Sequence, residues 1–258
     1  MDVISSAKLA ISSIYGYGLR RRIGDRSVCD ALQSQGLFIA PSRLEDAVVS
    51  RLIEACDRVY TDHPDAVAIE SRGSDARIYG VDRLTNDTIF SELQNIFLKD
   101  AEIFYGSAKI EQFCMSGDIT YRSDGLGSGS GWHRDSPYRH QFKVIVYLTD
   151  TTDENGPFEF IPNSHSTASL IGSAQHLSKP LASDRYTTDE IQALLQHGVI
   201  DEPLSIVGKA GTIIYADTRG LHRGRPLISG RRRAVTFYIY HNAIPAGFNG
   251  VLVKKLQS

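Results

Sequence analysis

The sequence predicts one α+β domain that is mainly β, with helices first and a sandwich or jelly roll after them. Its 258 residues, 41% of them hydrophobic, suffice for a single sizeable core. Before residue 108, apolar residues recur with helical spacing. From residue 108 onward they form short β-type runs separated by glycine, proline, asparagine or aspartate. Short strands joined by polar turns are typical of sandwiches and jelly rolls rather than parallel sheets.

The N-terminal part of the chain supplies the predicted helical layer. Residues 1–25 carry little pattern and are expected to be peripheral. The predicted elements that follow are a helix at 27–34, a strand at 37–40, a helix opened by the capping box Ser42-x-x-Glu45, and a helix at 86–99. These helices are expected to pack against one face of the sheet.

The rest of the chain supplies seven predicted strands. They lie at 109–115, 119–122, 142–148, 158–161, 204–207, 212–215 and 234–241. Alternate residues of a strand take opposite faces, so Lys143, Ile145 and Tyr147 should share one face of the third run.

Two stretches interrupt this alternation of strands and turns. The glycine- and serine-rich residues 123–131 predict a mobile loop. Residues 166–198 form a long insertion with a helix at about 189–197, behind the capping box Thr187-x-x-Glu190. An insertion of this kind is typical of a lid over a site. The whole chain, 1–258, is expected to be a single domain carrying this lid-like insertion.

Composition excludes several classes of protein. The net charge of −2 gives no global attraction to nucleic acid or to an anionic membrane. Three widely spaced cysteines argue against a disulfide framework and a zinc site, and favour a cytoplasmic setting. No apolar run reaches the length of a membrane span. No nucleic-acid or membrane partner is therefore expected, and the chain is expected to be a monomer or homodimer.

Candidate metal ligands stand at two places in the β region. His133 and Asp135 lie two residues apart ahead of a predicted strand, so both side chains can face one ion. His222 follows a later predicted strand. Two imidazoles and a carboxylate are the ligand set of the facial triad that holds non-haem Fe(II). The spacing leaves open that the histidines are ordinary loop residues.

Further motifs narrow the choice. They are Trp132-His133-Arg134-Asp135, Asn155-Gly156-Pro157-Phe158, the turn Ile161-Pro162-Asn163-Ser164-His165, and the run from Gly211 to Asp217 before His222. In this order they resemble the phytanoyl-CoA dioxygenase family of Fe(II)/2-oxoglutarate oxygenases, over about residues 105–241. The resemblance implies a double-stranded β-helix, cupin-like, with Fe(II) and 2-oxoglutarate as cofactors and O2 as co-substrate. It also implies that His133, Asp135 and His222 hold the iron.

The resemblance further implies an arginine that binds the far carboxylate of 2-oxoglutarate. In the family it lies about eleven residues beyond the distal histidine, and Arg233 has this spacing. Arg231 shares the strand face of Arg233 and is the alternative, whereas Arg232 should point away. Ile145 matches a position that lines the pocket in the family. Lys143, on the same face, would contact an anion, either 2-oxoglutarate or substrate, or else be an exposed strand lysine.

Other polar residues near the motifs receive more ordinary interpretations. His165 is expected to be structural, Asp217 to be a turn residue, and Trp132 to pack beside the site. Arg134 stands where the family often has glutamine, which leaves its role open. A cluster of arginines around the distal histidine would suit an anionic group on the substrate: Arg219, Arg223, Arg225 and Arg231.

The expected reaction is hydroxylation of a C–H bond in a polar small molecule, a sugar derivative or secondary metabolite, with release of succinate and CO2. Because Asp135 is present, a halogenase is disfavoured, since related halogenases replace this carboxylate. Desaturation or cyclisation would use the same cofactors and stays open. A catalytically silent cupin-like binding module is the alternative from a different class.

Overall fold

The protein is described by a computed structural model that covers residues 26–70, 73–125, 127–138 and 141–253. The expectation that residues 1–25 are peripheral lies outside these residues. The helices are α1 (Ser27–Ser34), α2 (Asp46–Asp62), α3 (Ile89–Tyr105), α4 (Thr167–His176) and α5 (Thr188–Gln196). Within the described ranges, no helix has the length and apolar character that crossing a membrane requires.

The described residues contain ten strands. They are β1 (Leu37–Ile39), β2 (Ala68–Glu70), β3 (Asp75–Tyr79), β4 (Ile110–Thr120), β5 (Gln141–Tyr147), β6 (Phe158–Phe160), β7 (Leu204–Ile206), β8 (Ile213–Asp217), β9 (His222–Gly224) and β10 (Arg231–His241). Seven form an antiparallel sheet in the order β1-β8-β5-β10-β4-β3-β2, and three form a smaller sheet in the order β7-β6-β9.

The two sheets share an apolar cluster between them. It joins Ile145 and Tyr147 of β5 and Ile214 of β8 to Phe158 and Phe160 of β6. Burying one such side chain contributes about 1.5–3 kcal/mol, so these contacts hold the sheets together. Two facing antiparallel sheets confirm the predicted jelly roll.

Helices α1, α2 and α3 cover the outer face of the large sheet. Phe97 of α3 packs edge-on against Phe237 of β10 at 4.9 Å and Tyr215 of β8 at 5.8 Å between ring centroids. Phe142, Val144, Val146 and Leu148 belong to this same helix-facing core. The predicted alternation along the third run is confirmed, because Lys143, Ile145 and Tyr147 take the opposite, cavity-facing side.

The register of β10 determines which of its side chains face the cavity. Ala234, Thr236 and Tyr238 lie directly opposite Tyr147, Ile145 and Lys143 of β5. Residues directly opposite in an antiparallel pair project to the same face. Even-numbered residues of β10 therefore face the cavity and odd-numbered ones face the helices.

Several predicted boundaries differ from the structure. Helix α2 begins at Asp46 with Glu45 at its N-cap and without a side-chain cap, so the Ser42 capping box is wrong. Strand β4 runs unbroken from residue 110 to 120, where two strands were predicted, because Asp118 and Gly117 pair with β10 instead of turning. Strands β2, β3 and β9 and helix α4 were not predicted.

Candidate active site

Two backbone hydrogen bonds join the two candidate histidine ligands at strand β9 of the small sheet. His133 N donates to His222 O at 3.0 Å, and His222 N donates to His133 O at 2.9 Å. The imidazole centroids lie 4.2 Å apart. Asp135, two residues beyond His133, is held by its own N–H bond to Thr218 O at 2.9 Å. Although nearly ninety residues separate His133 from His222 in the sequence, their side chains are thus in contact.

The three side chains converge on one point. Their ligand atoms all lie within 4.8 Å of one another. Nε2 of each histidine is 3.9 Å from an oxygen of Asp135. Nδ1 of His133 is 2.9 Å from Gly131 O, and Nδ1 of His222 is 2.9 Å from Gly220 O. A carbonyl accepts only, so each Nδ1 carries the proton and each Nε2 presents a lone pair to the centre.

Burial sets the charge of this group. It lowers the pKa of His133 to about 3, with a further contribution from the neighbouring His222. It likewise lowers the pKa of His222 to about 4. Burial alone would raise the pKa of Asp135, but Lys143 and the two histidines lower it. At neutral pH the site therefore holds two neutral imidazoles and one carboxylate, the protonation state that binds a divalent metal.

One oxygen of Asp135 is held from outside the triad. Lys143 Nζ lies 2.6 Å from Oδ2, and Gln141 Nε2 donates to the same atom at 2.7 Å. Lys143 is only 7% exposed, and its ammonium lies 4.3 Å from the ring centroid of Tyr238. Lys143 and Ile145 both line the cavity, as their strand face predicted.

The structure places the arginine chosen from sequence, Arg233, away from the cavity. Arg233 faces the helices, where its Nη2 contacts Asp57 and its Nε lies 3.8 Å from Asp118. Arg231 is exposed and pairs with Asp118. Arg232, expected to point away, lines the cavity instead. Alternate residues of β10 face opposite sides of the sheet. Arg233, eleven residues beyond His222, therefore faces the helices, whereas Arg232, ten residues beyond it, faces the cavity.

Arg232 has the environment of an anion anchor. It is 6% exposed, and its Nη1 donates to the carbonyl of Gly156. Its Nε is buried and has no hydrogen-bond partner in the part of the chain that the structure describes. Burial lowers the pKa of Arg232 below its usual value, a sign of a cation without full compensation. A carboxylate entering the cavity would supply the missing acceptor and charge.

The cavity encloses about 370 Å³. Part of its wall was not found from sequence: Arg77 binds Asp75 through Nε at 3.0 Å, Glu70 at 2.9 Å, and Ser128 Oγ at 2.8 Å. Tyr79 donates to Glu70 at 2.8 Å. The period-two spacing of Asp75, Arg77 and Tyr79 was the available signal, but these residues are polar and no strand was predicted there.

Arg134 connects the site to its surroundings. It is 1% exposed, and its Nη1 donates to the carbonyls of Ser164 and, at 2.7 Å, Arg219. Its guanidinium lies 5.6 Å from the ring centroid of Tyr186 in the insertion. It thus holds together three segments that surround the distal histidine.

The remaining polar residues named from sequence are structural in their contacts. Nε2 of His165 lies 3.1 Å from Gln33 O, which ties the Pro162–His165 turn to α1. Asp217 accepts from Arg219 N at 3.1 Å within its own turn. Trp132 is buried beside Tyr186 and Ile191.

The predicted arginine cluster is already paired. Arg219 binds Asp217 at 2.6 Å, Arg223 binds Glu159 at 2.5 Å, and Arg225 lies 3.3 Å from Asp153. With Arg231 on Asp118, all four guanidiniums have an acidic partner. The cluster as a site for an anionic substrate stays a prediction, and an anion there would compete with these acidic partners.

The insertion and the glycine-rich loop are both bonded to the ligand segment. Tyr186 N donates to Trp132 O at 3.0 Å, and Arg134 N donates to Asp184 O at 2.8 Å. Residues 184–186 thus run beside residues 132–134. Across the site, Gly224 N donates to Ser128 O at 2.9 Å. His133 thus lies between the insertion on one side and the glycine-rich loop on the other. The role of the insertion as a lid stays a prediction.

Comparisons with known proteins agree with this geometry. Residues 32–235 match the family model described as Phytanoyl-CoA dioxygenase (PhyH). An ectoine dioxygenase of Bordetella parapertussis is 23% identical over 250 residues, which cover 89% of this chain and 79% of the relative. An L-proline trans-4-hydroxylase of Streptomyces griseoviridis is 25% identical over 134 residues, covering 45% of this chain and 49% of the relative.

Solved structures show the same fold. The epimerase SnoN from nogalamycin biosynthesis, in complex with Fe3+ and alpha ketoglutarate, superposes with a TM-score of 0.62 at 14% identity, covering 89% of this chain and 92% of that one. EctD from S. alaskensis with bound Fe gives 0.56 at 20%, covering 85% and 76%. The chain therefore belongs to the phytanoyl-CoA dioxygenase (PhyH) family of Fe(II)- and 2-oxoglutarate-dependent oxygenases.

Proposed function

We propose that this oxygenase hydroxylates a C–H bond of a polar small molecule, a sugar derivative or a secondary metabolite. His133, Asp135 and His222 hold the iron in this proposal. The observation that carries it is the convergence of three correctly protonated ligand atoms within 4.8 Å, in one cavity with Arg232, whose Nε has no hydrogen-bond partner among the described residues.

Each residue has a task that its contacts support. The carbonyls of Gly131 and Gly220 keep the proton of each histidine on Nδ1 and direct Nε2 inward. Arg232 binds the far carboxylate of 2-oxoglutarate, since its planar fork suits that group. When bound, the iron supplies the oxidising chemistry, with O2 consumed and 2-oxoglutarate converted to succinate and CO2. The protein supplies ligand geometry, charge and exclusion of water.

Hydroxylation is favoured by the intact carboxylate and by the relatives. Asp135 occupies the ligand position that a halogenase would need open. The names of the two relatives, ectoine dioxygenase and L-proline trans-4-hydroxylase, describe oxidation of small polar molecules. Epimerase and carbocyclase appear in the titles of two neighbours with this fold, so the outcome depends on how substrate is placed.

The reaction type is tested by mass spectrometry. The purified protein, Fe(II), 2-oxoglutarate and ascorbate are incubated with a library of polar metabolites under 18O2. Hydroxylation predicts a product that gains one labelled oxygen atom. A product with two hydrogens fewer than the substrate would show instead that the reaction is desaturation or cyclisation.

A further inference from the structure

Lys143 is a buried cation whose partner is a proposed metal ligand. Its ammonium lies 2.6 Å from Oδ2 of Asp135, and no other ion pair of Lys143 is found among the described residues. The side chain is 9% exposed. A buried charge is tolerated only with an opposite charge close by. In the metal-free protein, Asp135 supplies that charge.

The remaining acidic residues of the cavity are engaged or distant. Glu70 and Asp75 both bind Arg77. They lie on β2 and β3, four and three strands away from β5 in the large sheet. At roughly 4.8 Å per strand, their backbones lie some 14 Å or more from β5 across the sheet. Asp184, at the cavity mouth, is exposed. Among the described residues, only Asp135 forms an ion pair with Lys143.

A divalent metal would use the charge of Asp135. The single negative charge of Asp135 would then be shared between the metal and the ammonium, and Lys143 would need a further anion. 2-Oxoglutarate has two carboxylates to offer. One would chelate the metal, and the other would meet Nε of Arg232, which has no hydrogen-bond partner among the described residues. The loaded cavity thus contains one surplus buried cation, placed beside the reacting centre.

We propose that Lys143 binds a carboxylate, or another monoanionic group of similar size, on the substrate. This inference rests on the proposed function and narrows its substrate class. Tyr238 completes the subsite, since its ring lies 4.3 Å from the ammonium and lines the same cavity. Fixing an anion at Lys143 orients the neighbouring C–H bonds toward the metal side of the cavity.

Bromide is a suitable probe because it is a monoanion with an anomalous X-ray signal. Crystals of the wild-type protein are soaked in bromide twice, once metal-free and once with Co(II) and 2-oxoglutarate. We expect a bromide peak within hydrogen-bonding distance of Lys143 Nζ only in the loaded crystal. The Lys143→Met variant, loaded in the same way, should lack the peak while keeping the cobalt.

The outcomes separate the two proposals. If cobalt binds the triad and Lys143 still contacts Asp135 without bromide, the substrate-anion role is overturned and the proposed function stands. If cobalt does not bind the triad, the proposed function fails, and the role of Lys143 fails with it. The wild-type comparison decides the matter even if Lys143→Met does not fold.

Discussion

At the residue scale, adjacent arginines on β10 have opposite environments. Arg232 reaches the cavity and lacks a partner at Nε, whereas Arg233 contacts Asp57 on the helix side. We expect Arg232→Ala to raise the KM for 2-oxoglutarate by roughly 10- to 100-fold, since a hydrogen bond to a charged group is worth about 1.5–3 kcal/mol. Arg233→Ala is the matched control and should leave this KM nearly unchanged. Steady-state succinate release measures both.

The opposite ranking of the two variants would mean that β10 is shifted by one residue. Such a shift exchanges every side chain between the cavity and the helix layer. The family spacing pointed to Arg233, and spacing alone cannot detect one residue of difference. To decide which alternate residues of β10 face the cavity, the orientation of one of them must be known. The pairing of Thr236 with Ile145 supplies it. The convergence of His133, Asp135 and His222 does not depend on which face of β10 an arginine occupies, so this error does not affect it.

At the element scale, the glycine-rich loop packs against the first histidine ligand. A Cβ built on Gly129 would overlap Cε1 of His133, whereas a Cβ on Gly131 would meet nothing within 4 Å. Both glycines have positive φ, +80° and +94°. Alanine therefore carries a similar backbone strain at either position. Only Gly129→Ala should also displace the imidazole.

The expected result is a selective loss of metal affinity. Gly129→Ala should weaken Co(II) binding by roughly 10-fold or more, the range seen when the support of a metal ligand is disturbed. Gly131→Ala should bind Co(II) like the wild type, although it is less stable. Isothermal titration calorimetry distinguishes the two. Equal weakening in both variants would show that loop strain, not contact with His133, controls the ligand.

Elements differed in how well the sequence predicted them. Strongly apolar ones such as β5 and α3 were found, because burial imposes a clear period on their residues. Strand β3 was missed, because its alternating Asp75, Arg77 and Tyr79 face the polar cavity wall. The insertion was recognised, but its pairing with residues 132–134 is a long-range contact that no local pattern encodes.

At the scale of the whole molecule, the buried histidines couple stability to pH. Their pKa values in the folded, metal-free protein are about 3 and 4, against 6.5 when exposed. The unfolded chain therefore binds protons first as pH falls below 6.5. The contribution of the two neutral histidines to the free energy of unfolding is complete above that pH and is lost as pH falls toward 4. Each histidine contributes up to about 1.4 kcal/mol per pH unit.

Replacing one histidine tests this coupling. The His222→Asn variant should show a shallower fall in unfolding free energy between pH 6.5 and 4.5. The slope should decrease by at most the contribution of one proton bound by the unfolded chain. Urea denaturation of the metal-free proteins at several pH values gives the slope. If wild type and variant lose stability in parallel, His222 is not buried in its neutral form.

The central claim is that His133, Asp135 and His222 form the iron centre of an oxygenase. Its most direct test is Fe(II)-dependent release of succinate from 2-oxoglutarate, measured together with iron stoichiometry. We predict one iron per chain and succinate release for the wild type, and neither for His222→Ala. The control His165→Ala should keep both, because His165 contacts Gln33 rather than the triad. Wild-type protein that binds no iron and releases no succinate would contradict the account.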